Sequence, residues 1–233
     1  MTASATAVRG RLDRRAVLEA ALALVDREGL DAVTMRRLGA ELDVDPMTAH
    51  HHVESKEGLL DGIAELLWEE VALPQGQIDP VETLRTLAES VRDLFRRHPQ
   101  AAPLVLRCAS LPRSQLELYR AYLDALLTEG IPDPVSVLRS ILTYALGYGS
   151  AEVSMLGVQC GPDRSRALSA QELLLYLGQS LPPATAPELA SAAVAMIAEC
   201  DADRCFEDGL SFMLAGLAGS SDPSRKGGRR SRA

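Results

Sequence analysis

Three of the chain's four histidines stand in a row, His50, His51 and His52, inside the stretch MTAHHHVESK. An imidazole can ligate a metal, carry a proton near neutral pH or donate a hydrogen bond to an anion. Spacing decides among these. On a helix, consecutive residues diverge by about 100°, so three adjacent rings fan out and cannot converge on one ion. Helical zinc sites instead place histidines four apart on one face, as in H-E-x-x-H. The fourth histidine, His98, is far away in sequence, so no metal site is expected. The chain shows no nucleophile–base motif and no phosphate loop, so it is expected to have no catalytic residue, to be no enzyme and to need no cofactor. What remains for three fanned imidazoles is contact with a partner or packing of a ring between helices.

Composition frames that partner. Of the 233 residues, 47% are apolar but only 4% aromatic, so the core must be Leu, Ala, Val and Ile. Ala and Leu are strong helix formers, and an all-α fold is expected. The net charge of −8 means that any nucleic-acid contact must come from a local basic patch. Cys108, Cys160, Cys200 and Cys205 form no C-x-x-C pair, and no signal peptide is evident. They read as reduced thiols in a cytoplasmic protein. No apolar run of about 18 residues suggests a membrane span.

The elements that must position the histidines follow from periodicity. Val17, Leu18, Ala21, Leu24 and Val25 mark a helix from Asp13, and Gly29 ends it. Thr34 caps a second, short helix with Leu38 and Leu42 on its apolar side. Asp43-Val44-Asp45 is long enough only for a turn. Asp45 caps a third helix, with Pro46 at its first position, where a missing N–H costs nothing. On that helix Ala49 and Val53 face inward, Thr48 and His51 point away, and Met47, His50 and His52 flank the exposed side. A fourth helix carries Leu59, Ile63, Leu66 and Leu67. From residue 79 onward longer apolar helices are expected at 80–97, 100–109, 113–129, 134–158, 169–180, 187–199 and 202–218, punctuated by Pro and Gly. The tail SSDPSRKGGRRSRA has no apolar period and is expected to be disordered.

Three short helices with a tight turn between the second and third make a helix-turn-helix, which lays its third helix in a DNA major groove. The stretch from Val17 to Ile63 resembles the DNA-binding domain of the TetR/AcrR family of bacterial transcriptional regulators. The resemblance rests on EGLDAVTMRRLGAEL, Val44, a short helix ending in HV, a lysine three residues later and LL. A fainter one at CFEDGLSFMLAGL is similar to the last helix of a tetracycline-repressor-like regulatory domain. Two positions depart from the family pattern: Asp43 stands where Gly is usual, and Ala49-His50 where Leu-Tyr is usual. The turn needs a residue that tolerates positive φ, which Asp does better than most. His50 replaces a tyrosine that commonly touches DNA.

The resemblance implies an N-terminal basic arm at 1–12, a helix-turn-helix domain at 13–60, a helical ligand-binding and dimerisation domain at 61–219 and a basic tail at 220–233. It implies a homodimer bound to a palindromic double-stranded operator and released by a small, largely hydrophobic effector. The expected DNA-contacting set is Thr34, Arg36, Arg37, Asp45, Pro46, Met47, Thr48, His50, His51, His52 and Lys56. Arg36 matches a position that often reaches a base, and Lys56 a phosphate-binding position. His52 has two readings, a phosphate contact or a ring packed between helices. Arg9, Arg11, Arg14 and Arg15 either track the DNA backbone or form a solvated run. Ligand-binding candidates are the polar or aromatic groups on apolar helices: Trp68, His98, Arg107, Tyr144, Tyr148, Glu152 and Gln159. The helices at 134–158 and 202–218 are expected to build the dimer interface. Two other classes compete: a metal or redox sensor on the same scaffold, using Cys200 or His98, and a helical enzyme.

Free imidazoles titrate near pH ~6.5, and adjacent phosphates favour their charged form. DNA affinity is therefore expected to rise as pH falls from about 8 to about 6 at constant ionic strength. Fluorescence anisotropy of a labelled duplex measures it, and flat binding across that range contradicts a role for the histidines.

Overall fold

Capping residues set the helix starts in the first part of the chain. In the computed structural model, which describes residues 12–75, 79–107, 111–153 and 201–220, Asp13 Oδ1 accepts the Ala16 N–H at 2.8 Å and opens α1 (Arg14–Glu28). Thr34 Oγ1 accepts from Arg37 N and opens α2 (Met35–Glu41). Asp45 does the same for α3 (Pro46–Val53), and Ser55 for α4 (Lys56–Glu69). Each oxygen satisfies an N–H that has no partner inside its helix. Gly29 ends α1 at φ +85°, a backbone conformation that side chains resist. A 3-10 turn at Leu30–Ala32 leads on to α2.

The chain divides into two compact units, Met1–Glu70 with His98–Glu117 and Val71–Arg97 with Leu118–Ala233. In the first, α1 packs against α2, α3 and α4, burying Val17, Ala21, Leu24, Leu38, Ala49, Ile63 and Leu67. A second 3-10 stretch, Ala102–Leu106, packs on α4. Glu65 of α4 accepts the Arg113 and Ser114 N–H groups that open α6 (Arg113–Thr128).

The second unit is centred on α5 (Pro80–Arg97) packed against α7 (Pro134–Val153), with α8 (Ala202–Ser220) on both. Leu84, Leu87, Val91, Leu94 and Phe95 form the apolar seam of α5. Gly149 lets α7 approach closely, because a Cβ there would stand 2.6 Å from a Phe95 ring carbon. A charged cluster lies within this apolar packing. Arg92, 5% exposed, grips Glu152 with two hydrogen bonds of 2.9 Å and donates to the Ala202 carbonyl at 2.8 Å. Its guanidinium lies 4.5 Å from the Phe206 ring centroid and 5.2 Å from that of Tyr148. Arg96 adds bonds to Glu152 and Asp203. Burial opposes the Glu152 charge, but the hydrogen bonds from Arg92 and Arg96 outweigh it and hold the carboxyl below its ordinary value.

Two helix expectations change. In place of the helix expected at 100–109, the described residues 100–107 form no α-helix; Pro103 interrupts the segment and only the 3-10 stretch Ala102–Leu106 forms there. Across the expected 60/61 boundary α4 runs unbroken to Glu69 with its Leu59–Leu67 face buried, and the first compact unit takes in residues up to Glu70 together with 98–117. Helix 113–129 ends at Thr128. All described regular structure is helical. The helices expected at 169–180 and 187–199, the end of 134–158, the N-terminal arm before Leu12 and the tail from 221 onward lie outside the described residues.

Replacing Arg92 with Ala removes the bidentate grip on the buried Glu152 carboxylate and leaves Arg96 as its remaining partner among the described residues. The expected loss is about 3–5 kcal/mol of unfolding free energy, measured by urea denaturation at pH 7. Because the Glu152 carboxyl is held low, its stabilising effect is present above the ordinary carboxylate range and fades as pH falls through the folded-state value. The variant should therefore lose part of the wild-type decline in stability toward acid.

Candidate functional site

The turn between α2 and α3 is built on backbone contact. Gly39 lies where a Cβ would meet the Val44 carbonyl oxygen at 2.9 Å and the Pro46 backbone at 3.1 Å. Its own carbonyl accepts the Val44 N–H at 2.9 Å. Asp43 adopts φ +54°, the left-handed conformation that its position in the turn requires. Glu54, just past α3, does the same at φ +61°, and its N–H closes the helix on the His50 carbonyl. Gly58 then leaves room beside the Val53 carbonyl for α4 to begin. Thus α3 is fixed at both ends.

That fixation sorts its side chains. Ala49 and Val53 are 0% and 3% exposed, sealed against the rest of the unit. Met47 is 61% exposed, although apolar, and Thr48 and His51 are exposed beside it. His50 and His52 are half-buried. Asp45 spends a carboxylate oxygen on the Met47 N–H, and Pro46 is half-buried at the helix start. Arg36 and Lys56 are exposed, on α2 and at the first position of α4. Thr34 is exposed with its hydroxyl already accepting from Arg37 N.

Two of the arginines singled out from the sequence, Arg37 and Arg15, are compensated. Arg37 pairs with Glu28 at 2.6 Å. Arg15 holds both Glu69 and Glu19 at 2.8 Å, and those bonds raise its guanidinium above its ordinary value, Glu69 contributing most. The described arrangement therefore offers a polar surface of exposed hydrogen-bonding groups with Arg36 and Lys56 as its positive points. Among the described residues no group of three or more His, Cys, Asp or Glu side chains is placed to hold a metal ion, and no helix is long and apolar enough to cross a membrane.

The described ligand-binding candidates fall in both units. Trp68, 2% exposed, belongs to the core of the first unit, where His98 and the exposed Arg107 also lie. In the second unit Tyr144 and Tyr148 donate to the Phe206 and Ala202 carbonyls, and Glu152 is held by Arg92 and Arg96. Gln159 lies outside the described residues. The second unit does contain an open cleft of about 280 Å³ between α6 and α7. It is lined by Tyr119, Leu123, Leu138, Arg139, Leu142 and Leu146, among others. Sequence reasoning missed these because Leu at helical spacing looks the same in a core and in a cleft. It missed Gly39 too, although a glycine inside a short helix just before a tight turn signals close backbone approach.

Comparison with known proteins gives a consistent result. Residues 17–63 match the profile described as bacterial regulatory proteins, tetR family, and residues 73–220 that of the tetracyclin repressor-like C-terminal domain. The HTH-type transcriptional repressor DrrR1 of Streptomyces coeruleorubidus is 30% identical over 61% of this chain, and the match spans about half of DrrR1's own length, 53%. The class A tetracycline repressor from transposon 1721 of Escherichia coli is 28% identical over 89% of this chain and 91% of its own. Among solved structures, apo ActR from Streptomyces coelicolor is 27% identical, covering 92% of this chain and 100% of that one at a TM-score of 0.74. Its complex with actinorhodin is 25% identical, covering 91% and 98% at a TM-score of 0.75.

If Gly39 sets the turn, Gly39→Ala should cost about 1–3 kcal/mol, because backbone rather than a flexible side chain must give way. Thr48→Ala and His51→Ala should each stay within about 0.5 kcal/mol of wild type, as exposed positions do. Chemical denaturation of the three variants checks both; equal effects at all three positions contradict this division of roles.

Proposed function

The chain belongs to the tetR family of bacterial regulatory proteins, and on that premise we propose that it is a homodimeric transcriptional repressor, released from a palindromic operator by a small-molecule effector. The observation that carries the reading is the sorting of α3: Ala49 and Val53 are sealed inward while Met47, Thr48 and His51 are held outward on a helix fixed at both ends. Thr48, His51 and Arg36 would read base edges, with Met47 against apolar base surface. Lys56, His50 and His52 would position the protein on phosphates, as would Thr34 at the start of α2. Asp45 and Pro46 would serve the contact by fixing where α3 begins. Arg37 would reach a phosphate only by leaving Glu28. We place this activity in the cytoplasm and assign the protein no enzymatic turnover.

A two-fold operator asks for a two-fold protein. The second unit has a surface suited to that. Phe212 on α8 is 80% exposed, and Ala215 and Gly216 are exposed next along the same helix. On α7, Ser140, Thr143, Gly147 and Ala151 recur at helical spacing and are exposed. A Cβ at Gly147 or Gly216 would meet nothing within 4 Å, so these two glycines leave their helices open to a partner. Two copies of α7 and α8 would form the interface. The cleft between α6 and α7 would take the effector. Its leucines and Tyr119 suit an apolar body, and Arg139 suits a negatively charged substituent. ActR, a protein of similar fold, has been solved in complex with actinorhodin, which supports a ligand-taking role.

The test uses purified full-length protein. Sedimentation should show a dimer, and Phe212→Glu should shift it toward monomer and weaken duplex binding by at least an order of magnitude, about 1.4 kcal/mol. Lys56→Ala should reduce the slope of log affinity against log salt by about one for each protomer in the complex. A wild-type monomer, or a salt slope untouched by Lys56→Ala, contradicts the proposal.

A further inference from the structure

His98 has a different place from the one its sequence suggested. Its Nδ1 lies 2.7 Å from Asp26 Oδ2, in the last turns of α1, and its Nε2 lies 3.1 Å from Glu70 Oε2, the residue that follows α4. The ring is 15% exposed, and the second Asp26 oxygen, Oδ1, is buried with no hydrogen-bond partner. A neutral imidazole donates from one nitrogen and accepts at the other, whereas ionised carboxylates only accept. With two carboxylates facing both ring nitrogens, a neutral ring would point a lone pair at a negative oxygen. Both contacts are hydrogen bonds only if the three groups together hold one proton more than a neutral imidazole and two carboxylates. That proton also offsets the cost of burying the half-satisfied Asp26.

We propose that Asp26, His98 and Glu70 form a proton-operated tie that joins the end of α1 to the end of α4: with the extra proton both links are closed, and its loss opens one. The neighbouring charges are engaged elsewhere or lie along the chain. Arg27, next to Asp26, pairs with Glu28 and Glu41; Glu69, next to Glu70, pairs with Arg15; Arg97 precedes His98 in sequence. The 3-10 stretch Ala102–Leu106 that follows His98 has no titratable side chain. Helices α1 and α4 frame the α2–α3 pair, so the tie makes the frame of the recognition helix sensitive to pH. This consequence for DNA rests on the proposed function; the tie itself does not.

Trp68 is the chain's single tryptophan, buried two residues before Glu70, and its emission reports on the end of α4. In wild type, emission is expected to show one step as the pH is lowered from about 8.5 to about 5.5, as the extra proton is taken up. The step should persist in a variant with His50, His51 and His52 all changed to Gln, and vanish in His98→Gln. Glu70→Gln should also remove it, since an amide can donate to a neutral ring and close the link without the extra proton. A flat wild-type trace, or a step that survives His98→Gln, overturns the proposal. If His98→Gln fails to fold by circular dichroism, ring-nitrogen NMR of the wild type decides: at pH about 6 both His98 nitrogens should carry protons or one should share a carboxyl proton. A neutral ring with a bare, unshared nitrogen facing a carboxylate at that pH overturns it equally.

Discussion

The distance between the Gly39 Cα and the backbone of Val44 and Pro46 is the constraint on which the candidate site depends. A helix-turn-helix works only if its second helix can brace the third at close range. Here that closeness is met at a single position with no side chain, beside a turn residue, Asp43, that accepts positive φ. Everything after it follows in order: the Asp45 cap fixes where α3 starts, Ala49 and Val53 fix its rotation, and Glu54 fixes where it stops. Thr48 and His51 face outward because those four restraints leave them no alternative. The exposed chemistry is thus a consequence of buried backbone geometry.

The two units are held by different physics. The first relies on aliphatic packing of α1 and α4 around small α2 and α3, with most charged side chains at its surface and the His98 ring set between Asp26 and Glu70. In the second, α5, α7 and α8 meet around Arg92, whose charge is desolvated and then satisfied by Glu152, a main-chain carbonyl and two aromatic faces. Burying such a pair gains little net stability, but it fixes the relation of the elements that share it. Helix register in the second unit is set there. The Glu152 and Asp203 carboxylates, both held low, keep the cluster charged.

Much of the first unit was legible in the sequence because its signals are local. Thr34 and Asp45 cap the helices they were expected to cap, and Ala49 and Val53 are buried as their four-residue spacing required. The second unit was less legible because its meaning lies in long-range pairing. Tyr144, Tyr148 and Glu152 stood out as polar or aromatic residues on apolar helices, but only the fold shows that they bond to α8 carbonyls and to Arg92. His98 was visible as a titratable group without its partners, since Asp26 and Glu70 are remote in sequence. The stretch at 100–109 misled because Ala and Leu suggest helix, while Pro103 and burial against α4 leave room only for a short 3-10 turn.

The proposed two-fold protein, with one outward-facing helix per protomer, would read DNA twice, in opposite directions, at a separation fixed by its own symmetry. Selection of bound duplexes from a random pool by the purified protein measures this directly. The account predicts an enriched inverted repeat whose half-sites lie about one helical turn, ~10–10.5 base pairs, or a multiple of it apart, centre to centre. Recovery of no enriched sequence, or of a single site without two-fold symmetry, would contradict it.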